Sequence, residues 1–335
     1  MRIAFLLAAT LFAAWTPAAD AETLKIATIA PEGSTWMTNM REGANEIEVL
    51  TKGRVKFKFY GGGVQGNEKQ VQRKMRIGQL HGGAFTASGL ATFQKDANLY
   101  ALPMLFENME EVDHVRERMD ARLRGRLEEA GFVSFGFAGG GFAYLMSNKP
   151  IRTLDDMSGQ KTWVPEGDEI AFAALRALGI APVSMPMTDV LTGLQTDLLD
   201  SVTVSPVGAV VLQWHTRLRW IMNEPLVYTY GGLIIDRRVF DKLGEEDQAV
   251  VRKVMDRVYA EFDRLSIEDD AGATKALLDS GLEFVDPNAG EVDEWRRIVA
   301  KSNRESAERG AVDVALLDEA LRLIDTLRDP GAGAP

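Results

Sequence analysis

Apolar and polar positions alternate along this chain with two periods, and the period switches repeatedly. Residues 23–30 form a short, largely apolar run that predicts a strand. The breaker PEGST follows, in which Ser34 or Thr35 can cap a helix. That helix carries Trp36, Met40, Ala44, Ile47 and Leu50 on one face. In RVKFKFYGGG, Val55, Phe57 and Phe59 alternate with Arg54, Lys56 and Lys58, the mark of a half-buried strand stopped by glycines. A helix over about 67–77 and a strand at 82–88 come next. A helix over 107–127 places Met109, Val112, Val115, Met119 and Leu123 together. Strands at 132–138 and 142–147 flank a run of three glycines.

The pattern restarts at Pro150. TLDD (153–156) is a small capping box and QKTWVP a strand. Helices follow at about 168–178, stopped by Gly179, and at 188–198. DSVTVSP (200–206) reads as strand into turn. LVYTYGGLIID (226–236) is a long strand with Gly231 and Gly232 in its middle, a suitable place for a bend between domains. The rest is mostly helix. A long one carries Val250, Val251, Val254, Val258, Phe262 and Leu265 on one face, and two more follow a strand at 282–285. The final apolar face, Leu316, Leu317, Leu321, Ile324 and Leu327, is expected to dock on its own lobe rather than on a second copy. Strands alternating with helices in two clusters, about 23–146 and 147–230, predict an α/β fold with mostly parallel sheets and a cleft between two lobes.

Composition narrows the function classes. At 335 residues the chain has room for about two domains. A net charge of −11 argues against a nucleic-acid partner or an anionic membrane surface. The N-terminus reads as an export signal: Arg2, an apolar stretch over 3–15, and ADA at 19–21, with cleavage expected near Ala21. That stretch is too short to span a membrane, and no other apolar segment is long enough, so no direct membrane insertion is expected. There is no cysteine to carry a lipid or a disulfide. The expected location is the periplasm, as a soluble protein, and residues 329–335 are expected to be a frayed tail.

Candidate chemistry is sparse. YGGGVQG contains G-x-G-x-x-G at Gly61, Gly63 and Gly66, between a strand and a helix. A dinucleotide site also needs an acidic residue about 20 positions on; HGGAFTASG stands there instead. The turn is read as one where backbone approaches a ligand or the other lobe. His81, His114 and His215 are scattered, and no nucleophile or metal motif accompanies them. No metal, no cofactor and no catalysis are expected. Trp36, Phe85, Trp163 and Trp214 stand at element ends, and strand ends in open α/β sheets face the ligand crevice.

The ordered segments APEGSTWMTNM, FYGGGVQGNEKQVQRKMRIGQL, LPMLFENMEEVDHV, NKPIRTLDDMSGQKTWVPEGD and PVSMPMTDVLTGLQTDLLDSV carry a resemblance. Read across nearly the whole chain, they are similar to the solute-binding proteins of tripartite ATP-independent periplasmic (TRAP) transporters, of the C4-dicarboxylate-binding (DctP) type. The resemblance implies a two-lobe periplasmic binding protein fold (type II-like), with a hinge of strands and a long helix spanning both lobes. It implies a small organic solute enclosed by lobe closure and delivered to the small and large membrane subunits of a transporter. It assigns residues 22–146 with about 231–275 to the first lobe. Residues 147–230 with about 276–328 form the second lobe and C-terminal helices. Two other functions stay open: an exported α/β enzyme, and a binding partner of a sensor kinase.

The family usually has an arginine where this chain has Trp163, and that arginine pairs with a substrate carboxylate. A tryptophan has one N–H donor and no charge. The expected ligand is therefore not a simple dicarboxylate. Trp163 could stack on an aromatic or sugar-like ligand. It could face a cation, with Glu32, Glu166 or Asp168 nearby. Arg152 or Arg217 could restore the charge from elsewhere, or the ring could pack under the hinge and touch no ligand. The expected ligand-binding residues are Glu32, Ser34, Trp36, Gln65, Phe85, Thr86, Trp163, Pro165, Glu166, Thr203, Pro206 and Trp214.

Overall fold

The computed structural model describes residues 21–329. The leader expected over 1–21 lies, except for Ala21, outside the described residues, as does the tail beyond Asp329. In the first half of the chain, strands β1 (Glu22–Ala27), β2 (Val55–Tyr60) and β3 (Gly82–Thr86) alternate with helices α1 (Thr35–Leu50), α2 (Glu68–Arg76) and α3 (Ala87–Ala91). Helix α4 (Met109–Glu129), β4 (Phe132–Ser134) and β5 (Ala138–Ser147) follow. The second cluster holds α5 (Leu154–Met157), β6 (Thr162–Pro165), α6 (Glu169–Ala177), β7 (Pro182–Met185), α7 (Val190–Gln195), β8 (Ser201–Val204), α8 (Pro206–Val211) and β9 (Trp220–Met222). Then come β10 (Val227–Asp236), α9 (Arg237–Phe240), α10 (Glu245–Asp279), β11 (Glu283–Val285), α11 (Glu291–Glu308) and α12 (Val314–Arg328).

The main strands run in the order β2-β1-β3-β10-β5-β8-β6-β7. The two outer triplets are parallel, as the alternating pattern predicts, with Glu22 opposite Val55 and Trp163 opposite Val183. The centre corrects the expectation of mostly parallel sheets. β10 runs antiparallel to both β3 and β5, and β5 runs antiparallel to β8. Two long strands that each pass from one lobe to the other must pair in opposite senses.

The glycines at 139–141 are a second correction, for they lie inside β5 rather than between two strands. A Cβ at Gly139 would lie 2.4 Å from the Tyr228 hydroxyl, and one at Gly141, where φ is +72°, 2.9 Å from Asp270 Oδ1. Neighbouring side chains therefore need the space, and the positive φ at Gly141 is one that glycine adopts without strain. Upstream, Gly136 ends the predicted 132–138 strand early: a Cβ there would lie 2.9 Å from Tyr259.

Each lobe covers both faces of its sheet. One face of the first lobe carries α4 and α12, whose Leu316, Leu317, Ala320 and Ile324 are buried with Val112, Val115 and Met119. The last apolar face is thus covered within the chain, against α4 rather than against the second cluster. On the opposite face, α1 and α10 pack together through Met40, Ile47, Val254 and Val258. The second lobe buries Trp163 and Trp214 on one side. Trp295 of α11 is buried with Ile151 and Met222 on the other. Helix α10 has 35 residues, about 50 Å, and packs on α1 of the first lobe and α8 of the second.

Candidate functional site

The strand ends β3 and β6 face a common cleft. Trp163 lies in β6, 3% exposed. Its Nε1–H donates to the Met185 carbonyl at 3.0 Å, so its only donor is already used. Its ring meets Trp214 edge to face, with centroids 5.2 Å apart. Trp214 is held by a short 3-10 turn entered through Gln213, whose φ is +60°. These two indoles, with Tyr228 and Tyr230 of β10, line a cavity of about 270 Å³. Thr203 and Pro165 also line it. Asp168 is the one charged residue in that lining among the described residues.

Asp168 caps α6, accepting from the Ala171 N–H at 2.9 Å. Burial pushes its carboxyl above the usual range, and the backbone N–H groups of Ala171 and Ile170 pull it part-way back. Arg152 and Arg217, the arginines considered as replacements, are exposed and line none of the inter-lobe spaces.

The first lobe presents a polar face. Thr86 ends β3, and its N–H and hydroxyl donate to Glu68 at 2.6 and 3.0 Å. Burial pushes the Glu68 carboxyl up to about 7, against the pull of those two hydrogen bonds. Thr86 borders both the aromatic cavity and a small space of about 40 Å³ that Glu68, Lys69, Pro165 and Glu166 also line. Across it Lys69 Nζ and Glu166 Oε1 form an ion pair at 2.8 Å, which joins α2 to the turn after β6. The glycine-rich turn also meets the second lobe. A Cβ at Gly63, φ +72°, would sit 3.4 Å from the Thr188 side chain.

A third space, about 640 Å³, runs along the hinge. Ser34, Trp36, Phe85 and Thr86 line it, together with Gly139 and Gly140 of β5, the glycines of β10, and Glu268 and Asp269 of α10. Trp36 stacks there on Phe262 at 6.2 Å.

Three expected residues border none of these spaces. Glu32 is turned to solvent and pairs with Arg41 at 2.6 Å. The Gln65 side-chain oxygen accepts from Lys74 at 2.8 Å. Pro206 is buried as the first residue of α8. Asp168 was named only as a carboxylate near Trp163, and Glu68, Tyr228 and Tyr230 were missing from the expected set. Of the three that were missing, the tyrosines left a signal, the period of two in VYTY, which puts both on one face of the strand.

Known proteins match this arrangement. The family model "Bacterial extracellular solute-binding protein, family 7" (DctP) matches residues 26–309. The chain belongs to this family. It is 25% identical over 294 residues to the C4-dicarboxylate-binding periplasmic protein DctP of Rhodobacter capsulatus, covering 83% of this chain and 86% of that protein. Two solved structures share its fold. A TRAP periplasmic solute-binding protein from Xanthobacter autotrophicus with bound β-D-galacturonate superposes with a TM-score of 0.82 at 20% identity, covering 90% of this chain and 99% of that one. An extracytoplasmic solute receptor of Bordetella pertussis binding pyroglutamic acid superposes with a TM-score of 0.82 at 18% identity, covering 90% and 100%.

Family membership places the chain among extracellular solute-binding receptors, which are not enzymes. Proteins of this family bind solutes outside the cytoplasm. Among the described residues, no helix is long and apolar enough to cross a membrane, and no group of three or more His, Asp or Glu is placed to hold a metal ion.

Proposed function

We propose that this DctP-family protein captures its solute in the aromatic cavity, and that the solute is not a simple dicarboxylate. In this reading the exported chain is cleaved near Ala21 and works in the periplasm. Its first lobe is residues 22–146 with about 231–275, and its second is 147–230 with the chain after about 276, apart from α12, which is carried on α4. Trp163, Pro165, Thr203 and Trp214 supply one wall and Thr86 the other, with Phe85, Ser34 and Trp36 lining the hinge space that Thr86 also borders. Glu166 closes the mouth. Strands β5 and β10 and helix α10 form the hinge, and binding shifts an open–closed equilibrium.

One observation carries the ligand claim: Trp163 lines the cavity with its one side-chain N–H already bonded to Met185, where the family resemblance puts a carboxylate-binding arginine. A carboxylate buried there without a cation would cost several kcal/mol, on the order of the penalty for an unpaired buried charge. The test is a thermal-shift screen of the purified exported protein, with small-angle scattering on each hit. A solute at about 100 times its Kd adds about 2.7 kcal/mol and raises Tm by several degrees. Hits should also contract the radius of gyration. A succinate or malate shift larger than that of every neutral, aromatic or cationic compound overturns the ligand claim.

A further inference from the structure

We propose that the solute is an organic cation, an amine with an apolar body, selected by Asp168 at the edge of the Trp163–Trp214–Tyr228–Tyr230 cavity. This rests on the reading that the lobes close on a solute there. Aromatic faces attract a cation through their quadrupole, most strongly when water is excluded, and tryptophan is the best partner. This cavity brings two indoles and two phenols together. Its one charged lining residue, among the described residues, is a carboxylate. The adjoining space adds Glu68 and Glu166 against the single cation Lys69, which Glu166 already pairs. The hinge space adds Glu268 and Asp269. A cleft with walls of one sign concentrates the opposite charge. Among the described lining residues, an anionic solute would meet no cation other than Lys69, which Glu166 already pairs.

The carboxylate at 168 has a structural role as well, since it caps α6. Capping does not demand the charge. Asn, Asp and Ser cap equally well, and one acceptor oxygen suffices. A carboxylate has acceptor capacity beyond the backbone N–H groups of Ala171 and Ile170. Asp168→Asn therefore keeps the cap and removes the charge, which separates the two roles in one substitution.

The test uses three matched scaffolds. They are choline, 3,3-dimethylbutan-1-ol and 3,3-dimethylbutanoate; phenethylamine, 2-phenylethanol and phenylacetate; and hexylamine, 1-hexanol and hexanoate. Affinities are measured by calorimetry on the purified exported protein and on Asp168→Asn, with scattering as the readout of closure. On the scaffold that fits best, the cation should bind at least about tenfold tighter than the alcohol, with the carboxylate weakest. Asp168→Asn should bring cation and alcohol within about threefold, with Tm of the free protein unchanged. The proposal is overturned when an alcohol or a carboxylate binds tightest, when no cation of the panel binds, or when Asp168→Asn keeps the preference. An alcohol or carboxylate that binds and contracts the protein sinks the amine while leaving solute capture intact. Binding without contraction sinks the capture reading itself.

Discussion

Two strand ends meet across the cleft, and they are built in opposite ways. The end of β3 is polar. Thr86 commits its N–H and hydroxyl to the half-buried Glu68 carboxylate, and its oxygen also caps α3 by accepting from Gly89. The end of β6 is apolar. Trp163 spends its one donor on Met185 and buries its ring on Trp214. One wall is held by charge-assisted hydrogen bonds, which depend on pH; the other by packing, which does not. A solute lying between them would touch a responsive surface on one side and a rigid one on the other.

The packed end should show the largest effect. Trp163→Ala removes a buried ring and leaves a cavity beside Trp214, at a cost of about 3–5 kcal/mol. Urea unfolding of the solute-free protein measures this. Trp163→Phe, which keeps a ring but loses the bond to Met185, should cost less than half as much. A loss below about 1 kcal/mol for the alanine variant would mean that the β6 wall is not part of the core of its lobe.

The polar end should show itself in the pH profile. Glu68 has its carboxyl raised from 4.5 to about 7 by burial. The folded state therefore holds a proton that the unfolded state has lost. Its contribution is fully present below about pH 4.5 and disappears as pH rises to about 7. The full span is on the order of 3 kcal/mol. Asp270, raised by burial from 3.8 to about 6, slopes in the same direction, so the comparison with Glu68→Gln is the readout. Gln keeps an acceptor for the Thr86 N–H and carries no charge. The variant should be flatter than the parent between pH 4.5 and 7. Parallel profiles would show that Glu68 sits in a wetter site than its contacts suggest.

The sequence made the packed wall visible and the polar wall nearly invisible, for physical reasons. A tryptophan beside a proline at a strand end is conspicuous in one dimension, because a large apolar ring there needs a partner. Helix caps are equally local: Ser34 and the Thr153–Asp156 box appear as read. Glu68 and Thr86 are 18 residues apart, and nothing in NEKQVQRK separates a half-buried, hydrogen-bonded glutamate from a solvated one. The same limit applies to Glu32 and Gln65, whose partners Arg41 and Lys74 lie nine residues on in each case. It also explains the parallel-sheet error. Alternating strands and helices report the two outer triplets, whereas β5 and β10 cross between lobes, and that depends on pairings about 90 residues apart, such as Val227 with Ala143.

The smallest effect lies where the two walls are joined. Lys69 and Glu166 pair at 2.8 Å across the cleft mouth, with side chains 46% and 36% exposed. A pair this exposed contributes about 0.2–1 kcal/mol at low salt. Because its partners belong to different lobes, that energy biases closure rather than the folding of either lobe. Lys69→Ala and Glu166→Ala should leave the urea midpoint of the free protein nearly unchanged. Each should weaken solute affinity by about 1.5–5-fold, mainly through a faster off-rate. The double variant should lose no more than either single one, since removing the second partner removes nothing that is left. The whole effect should fade toward 1 M salt, where the Debye length is about 3 Å. Additive losses, or losses that persist at high salt, would mean that Lys69 or Glu166 touches the solute and is part of the binding wall instead of a clasp between the lobes.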